Sequence, residues 1–235
     1  MVHVKETNVI RWKRGLSAVA AATLSLAVST PTWASVTHYY GVAVWFNAPQ
    51  NAGTEANPYI SSGSAADWSA SYAGFIAQVL WEGTSNNGDY WVEAGYIYGW
   101  QQQNIATWYW ADNRPTYGYD EHQITSVPVT VGATMPVDIV YQGNDTWSIT
   151  INDSAKNWRS TDNPPYSEYM STGLESASPN SVLDGAYSSG MAYANLNYPW
   201  ISSWGSGTEL HNDSPANVAW VNTYKKIHDW QSYLR

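Results

Sequence analysis

Apolar and polar positions alternate along most of this chain. In residues 146–152, TWSITIN, Trp147, Ile149 and Ile151 face one way while Thr146, Ser148 and Thr150 face the other; this period of two predicts a strand with one wet side. Gly143-Asn144-Asp145 just before it reads as the turn of a hairpin whose first arm is PVDIVYQ, residues 136–142. Aromatic and β-branched runs predict further strands at 38–49, 71–83, 89–100, 104–112, 127–132 and 189–198. Two stretches rich in Ser, Asn and Pro, 50–69 and 154–167, read as long surface loops. The ending, 217–235, carries Trp220, Ile227, Trp230 and Leu234 at helix-like intervals and predicts a short helix packed on the rest. The expected fold class is all-β: an antiparallel β-sandwich of jelly-roll, concanavalin-like type with a short C-terminal helix.

Composition adds an address and removes several partners. Lys5, Arg11, Lys13 and Arg14 precede an apolar run from Leu16 to Val28, and the small-residue site Thr32-Trp33-Ala34 follows. That three-part layout is a secretory signal, too short for a comfortable membrane span, with cleavage expected after Ala34. Residues 1–34 are therefore assigned to the signal and 35–235 to one sandwich domain, secreted and free of the membrane in its mature form. The chain has 10 basic and 19 acidic residues, net −9, and loss of the signal makes it more acidic still. Nucleic acid needs a basic footprint, so it is excluded as a partner. Cysteine is absent, and stability is expected to come from core and sheet. The aromatics are 15 Trp and 18 Tyr against 2 Phe, amphipathic rings suited to half-exposed sheet faces.

Candidate chemistry narrows to carboxylates. The histidines at 3, 38, 122, 211 and 228 form no H-x-H or H-x-x-x-H pair, so no metal site and no cofactor are expected. G-x-S-x-G and phosphate-binding glycine loops are absent. Glu93, in DYWVEAGYIYGW (89–100), is different. Alternation puts it on a face with Trp91, Gly95 and Ile97, opposite Tyr90, Val92, Ala94, Tyr96 and Tyr98, and neither face is polar. An ionised carboxylate there is costly, so it is neutralised, paired or functional. Glu175 shares its predicted face with Ser171, Gly173 and Ala177, small residues that leave room for water or substrate. Asp138 reads as a solvent-facing strand residue.

Several motifs resemble the glutamic peptidases, both eqolisins and neprosin-type proteins. VWFNAP (44–49) is similar to that family's first strand, and WVEAGY (91–96) to the strand that carries the catalytic Gln of eqolisins. TWYWADNRPTYGYDEHQI (107–124) resembles its Trp/Tyr-rich strand and Pro loop, followed by the hairpin entry at 129–139. GLESA (173–177) is the counterpart of the segment with the catalytic Glu, and Glu168 is its nearest competitor. The resemblance implies a jelly-roll sandwich and a Glu93/Glu175 dyad hydrolysing peptide bonds in acid. Glu175 would be the general base, Glu93 would be the protonated donor to the carbonyl oxygen, and Trp81, Trp91 and Trp108 would line the cleft of a monomer acting on a polypeptide substrate. A glutamate in place of the Gln is what the neprosin type leads one to expect. The rivals are a lectin-like carbohydrate-binding sandwich, which needs no dyad, and a glycoside hydrolase of the same fold using both glutamates.

Overall fold

The computed structural model describes residues 37–67, 74–85, 88–154, 158–165, 167–197 and 199–231; the secretory signal expected at 1–34 lies outside them. The strands are β1 (Tyr39–Tyr59), β2 (Gly63–Ser64), β3 (Ile76–Gly83), β4 (Trp91–Tyr98), β5 (Thr107–Arg114), β6 (Gly118–Ile124), β7 (Val137–Gly143) and β8 (Thr146–Ile151). They continue as β9 (Trp158–Thr161), β10 (Ser167–Ser176), β11 (Val182–Asn195), β12 (Trp200–Ile201), β13 (Thr208–Asn212), β14 (Asn217–Asn222) and β15 (Lys226–Gln231). All pairings are antiparallel.

β1 is long because it serves both layers of the sandwich. Its first half lies between β13 and β10, and β3, β4, β5 and β6 follow in order to complete the first layer. Its second half lies between β11 and β7, with β15 and β14 beyond one and β8 and β9 beyond the other. The crossing occurs where the β10 register slips between Phe46 and Asn51. The buried Asn51 amide holds the bend by donating to the carbonyls of Pro49 and Ser167, while its oxygen accepts from Gly53 N–H. Residues 50–59 are thus strand, not the predicted loop. Asn, Pro and Gly are tolerated there because further slips at Asn51/Gly53 and Glu55/Asn57 break the regular ladder.

The core between the layers is where the alternation points. Leu80, Val92, Ala94, Tyr96, Trp108, Met170 and Leu174 from the first layer meet Ile139, Trp147, Ile149, Leu183, Met191 and Ile227 from the second. Each fully buried large side chain contributes about 1.5–3 kcal/mol relative to exposure. The indole N–H groups are partnered as the inner aromatics require: Trp147 donates to Pro164 O at 2.9 Å and Trp108 to Pro128 O at 3.4 Å.

Two other expectations fail. Among the described residues the C-terminal helix is not formed. Residues 217–231 make the β14–β15 hairpin, whose turn places Tyr224 at φ 62, and pairing with β11 puts Val218 and Ile227 in the core. Sheet pairing outweighs a helical spacing of four apolar residues. The run 127–132 is a loop, with a single bridge, Tyr59 to Thr134, just after it, because Pro128 lacks the N–H a ladder needs.

Candidate active site

The strand order lays Glu93 in a row. It pairs with Trp81 of β3 on one side and Ala111 of β5 on the other; Trp81 pairs onward with Ser171 of β10, and Ala111 with Glu121 of β6. Cross-strand partners share a face, so Ser171, Trp81, Glu93, Ala111 and Glu121 line up across the outer side of the first layer. One neighbouring row is Tyr169, Gly83, Trp91, Asn113 and Tyr119. On the other side comes Gly173, Val79, Gly95 and Tyr109, and beyond it Glu175, Ala77, Ile97 and Thr107. Glu93 and Glu175 therefore stand two rows and two strands apart.

The row between them is floored by glycine for a steric reason. A Cβ on Gly95 would lie 2.0 Å from the Gln78 carbonyl oxygen, and one on Gly173, at φ 141, 2.4 Å from that of Gly41. Only glycine permits strand backbones to approach so closely. Around this floor Val79, Trp81, Trp91, Ile97 and Tyr109 form a second buried cluster, with Phe75, Trp100, Tyr119 and Tyr169 packed against it. Glu93 is only 8% exposed among them.

This setting treats the acids unequally. Burial, and then the charges of Glu175 and Glu121, hold the Glu93 carboxyl well above its usual range, against the pull of a hydrogen bond from Tyr109. A carboxyl so shifted keeps its proton and can donate. Glu121, at the solvent rim, is pushed up to about 7, first by partial burial of its carboxyl and then by Glu175, with Tyr119 opposing. Glu175 instead accepts hydrogen bonds: its Oε1 lies 2.5 Å from His38 Nδ1 and 3.2 Å from the Tyr40 hydroxyl. His38 stands edge-on to Phe75 at 5.4 Å. Burial and the nearby Glu175 raise the Tyr40 pKa well above its ordinary value, so its hydroxyl remains a donor. Both contacts fall on Oε1, and neither uses Oε2.

Of the residues singled out in the sequence, Glu93, Glu175, Trp81 and Trp91 occupy this face. Trp108 does not. It sits at even register with Tyr96 and is fully buried between the layers, so it is a core residue and not part of a cleft lining. Glu168 accepts from Gln50 Nε2 at 3.2 Å in an exposed contact. His38, Tyr40, Tyr109 and Glu121 escaped the sequence reading. Alternation in GYDEHQI (118–124) would have put Tyr119 and Glu121 on one face, but nothing local links His38 to a glutamate 137 residues away. Among the described residues no three His, Asp or Glu side chains converge to hold a metal ion.

No protein-family model and no curated protein matches the chain. Solved structures do. A scytalido-glutamic peptidase with a transition-state analogue inhibitor superposes with TM-score 0.58 at 10% identity, over 85% of this chain and 100% of that one. SCP-B, a member of the eqolisin family of peptidases in complex with the tripeptide Ala-Ile-His, gives 0.51 at 9% identity over the same shares. The fold of this chain is that of the eqolisin glutamic peptidases.

Proposed function

We propose that the protein is a secreted, acid-acting peptidase that hydrolyses peptide bonds on the outer face of the first layer. The observation that carries the reading is the inequality of two carboxyls on one aromatic face: Glu93 is biased toward a neutral donor and Glu175 is gripped through one oxygen as an acceptor. The eqolisin fold supports it, since the structures of that fold named above are peptidases.

In this mechanism an extended substrate lies against Trp81 and Trp91 with its scissile carbonyl directed at Glu93. Water attacks the carbonyl carbon while Glu175 Oε2 takes its proton, His38 and Tyr40 holding the other oxygen. Negative charge developing on the carbonyl oxygen is met by the hydrogen bond from protonated Glu93. When the tetrahedral intermediate collapses, the C–N bond breaks and Glu175 returns the proton to the leaving amine. Glu93 donates only while protonated, so activity belongs to the acid side of its raised pKa and falls as pH rises through it.

The test is the pH profile of peptide release from an unfolded protein substrate, with residues 35–235 beside Glu93→Gln and Glu175→Gln. The expected result is cleavage confined to acid, a loss of about 10³-fold or more in Glu175→Gln, and residual activity with a flatter alkaline limb in Glu93→Gln, whose amide donates at every pH. A wild type that releases no peptide at any pH overturns the proposal.

A further inference from the structure

We propose that the Glu121 end of this face is a subsite for a basic side chain, Lys or Arg, of the bound polypeptide. The proposal rests on the peptidase reading of the same face and names what that site prefers. Three observations converge on it. Glu121 has no cation of its own: among the described residues no Lys, Arg or His forms an ion pair with it. The nearby cations are turned to the other face, Arg114 to Asp112 at 3.0 Å and Asp120 at 3.3 Å, and His122 to Asp120 at 3.2 Å while stacked on Trp110.

The second observation is the wall beside it. Tyr119, two residues before Glu121 on the same face, stands 5.7 Å from Trp91 at an interplanar angle of 59°. Aromatic faces beside a carboxylate attract a guanidinium or ammonium group. The third is an unmet donor: Trp91 is 3% exposed, and its indole N–H has no acceptor among the described residues. A buried N–H without a partner is costly, and a substrate backbone carbonyl supplies the missing acceptor. One polypeptide thus satisfies both groups, its carbonyl on Trp91 and its cationic side chain between Tyr119 and Glu121.

The groups facing Glu121 are Glu93 from β4, Tyr109 from β5, Glu175 from β10 and Tyr119 on its own strand. All are acidic or neutral, so an incoming cation meets a negative field that strengthens as Glu121 ionises. Selectivity for a basic side chain therefore grows with pH.

The test compares two peptides that differ only in a central arginine or its neutral isostere citrulline, each titrated calorimetrically into Glu175→Gln and into Glu175→Gln/Glu121→Gln, and each offered to the wild type for cleavage. The arginine peptide is expected to bind about tenfold more tightly at about pH 8, with a smaller ratio at about pH 5, and the ratio vanishes without Glu121. Equal binding of the two peptides, or a preference that survives Glu121→Gln, overturns the subsite. Cleavage of both peptides without preference leaves the peptidase reading standing while the subsite falls. Arginine-selective binding with no cleavage by the wild type does the reverse.

Discussion

Each layer of the sandwich has three crowded carboxyls, yet the two trios are chemically unlike. On the second layer Glu55 of β1 pairs directly with Asp138 of β7. Burial, then Glu55 and Asp153, push Asp138 up to about 7, the same value that Glu121 reaches on the first layer. Burial leads on both sides, and neighbouring carboxylates add to it. What differs is the supply of donors. Among the described residues the second trio has only the Asn57 amide, on Glu55, whereas the first has His38 and Tyr40 on Glu175 and Tyr109 on Glu93. Repulsion acts on every member of a carboxyl cluster alike; unequal donors make its members chemically distinct.

The sharpest way to break the comparison is to remove the imidazole. His38→Ala leaves Glu175 Oε1 with Tyr40 alone, and kcat for peptide release is expected to fall about 10- to 100-fold with little change in KM, because the base is misoriented while the substrate face is untouched. His38→Gln can still donate an N–H and restores part of the rate. Asp153→Asn, in the turn after β8, leaves kcat unchanged. An equal effect of the two substitutions, or a loss of kcat that His38→Gln does not restore, removes the distinction between the faces.

A period of two made β4 legible to the residue: Val92, Ala94, Tyr96 and Tyr98 point inward, and Trp91, Glu93, Gly95 and Ile97 outward. It also placed Glu175 with Ser171 and Gly173. What alternation leaves open is which strands are neighbours, and two of the misassigned segments turn on that. Residues 50–59 look like a loop until β7 and β11 are set beside them, and 217–231 look helical until β11 supplies a partner. Trp108 failed for a simpler reason. Its composition suits a cleft, but its register parity matches Tyr96, not Glu93. The His38–Glu175 contact joins the start of β1 to the end of β10 and has no local signature.

A smaller effect is expected in stability on the second layer. Because the folded pKa of Asp138 is raised from 3.8 to about 7, its contribution is fully present below about pH 4 and is lost as pH rises through about 7. Asp138→Asn keeps the shape and cannot ionise. Urea unfolding should show the variant and wild type alike in acid, and the variant more stable by about 1 kcal/mol at about pH 8, after discounting for a partly solvated site. A gain already present in acid would mean that ionisation of Asp138 is not the cause.

The finest distinction is a single hydroxyl on the first layer. The Tyr109 hydrogen bond is the one influence that lowers the Glu93 pKa, against burial and two neighbouring charges. Tyr109→Phe removes it while keeping the ring that packs in the aromatic cluster. The Glu93 carboxyl should then hold its proton to higher pH, and the alkaline limb of peptide release should move upward by about half a pH unit, a change worth about 0.7 kcal/mol. The direction is diagnostic. If Glu93 worked as an ionised base, activity would require loss of its proton, and the same substitution would move the acid limb upward instead. The limb that moves in Tyr109→Phe therefore assigns the role of Glu93 without altering either glutamate.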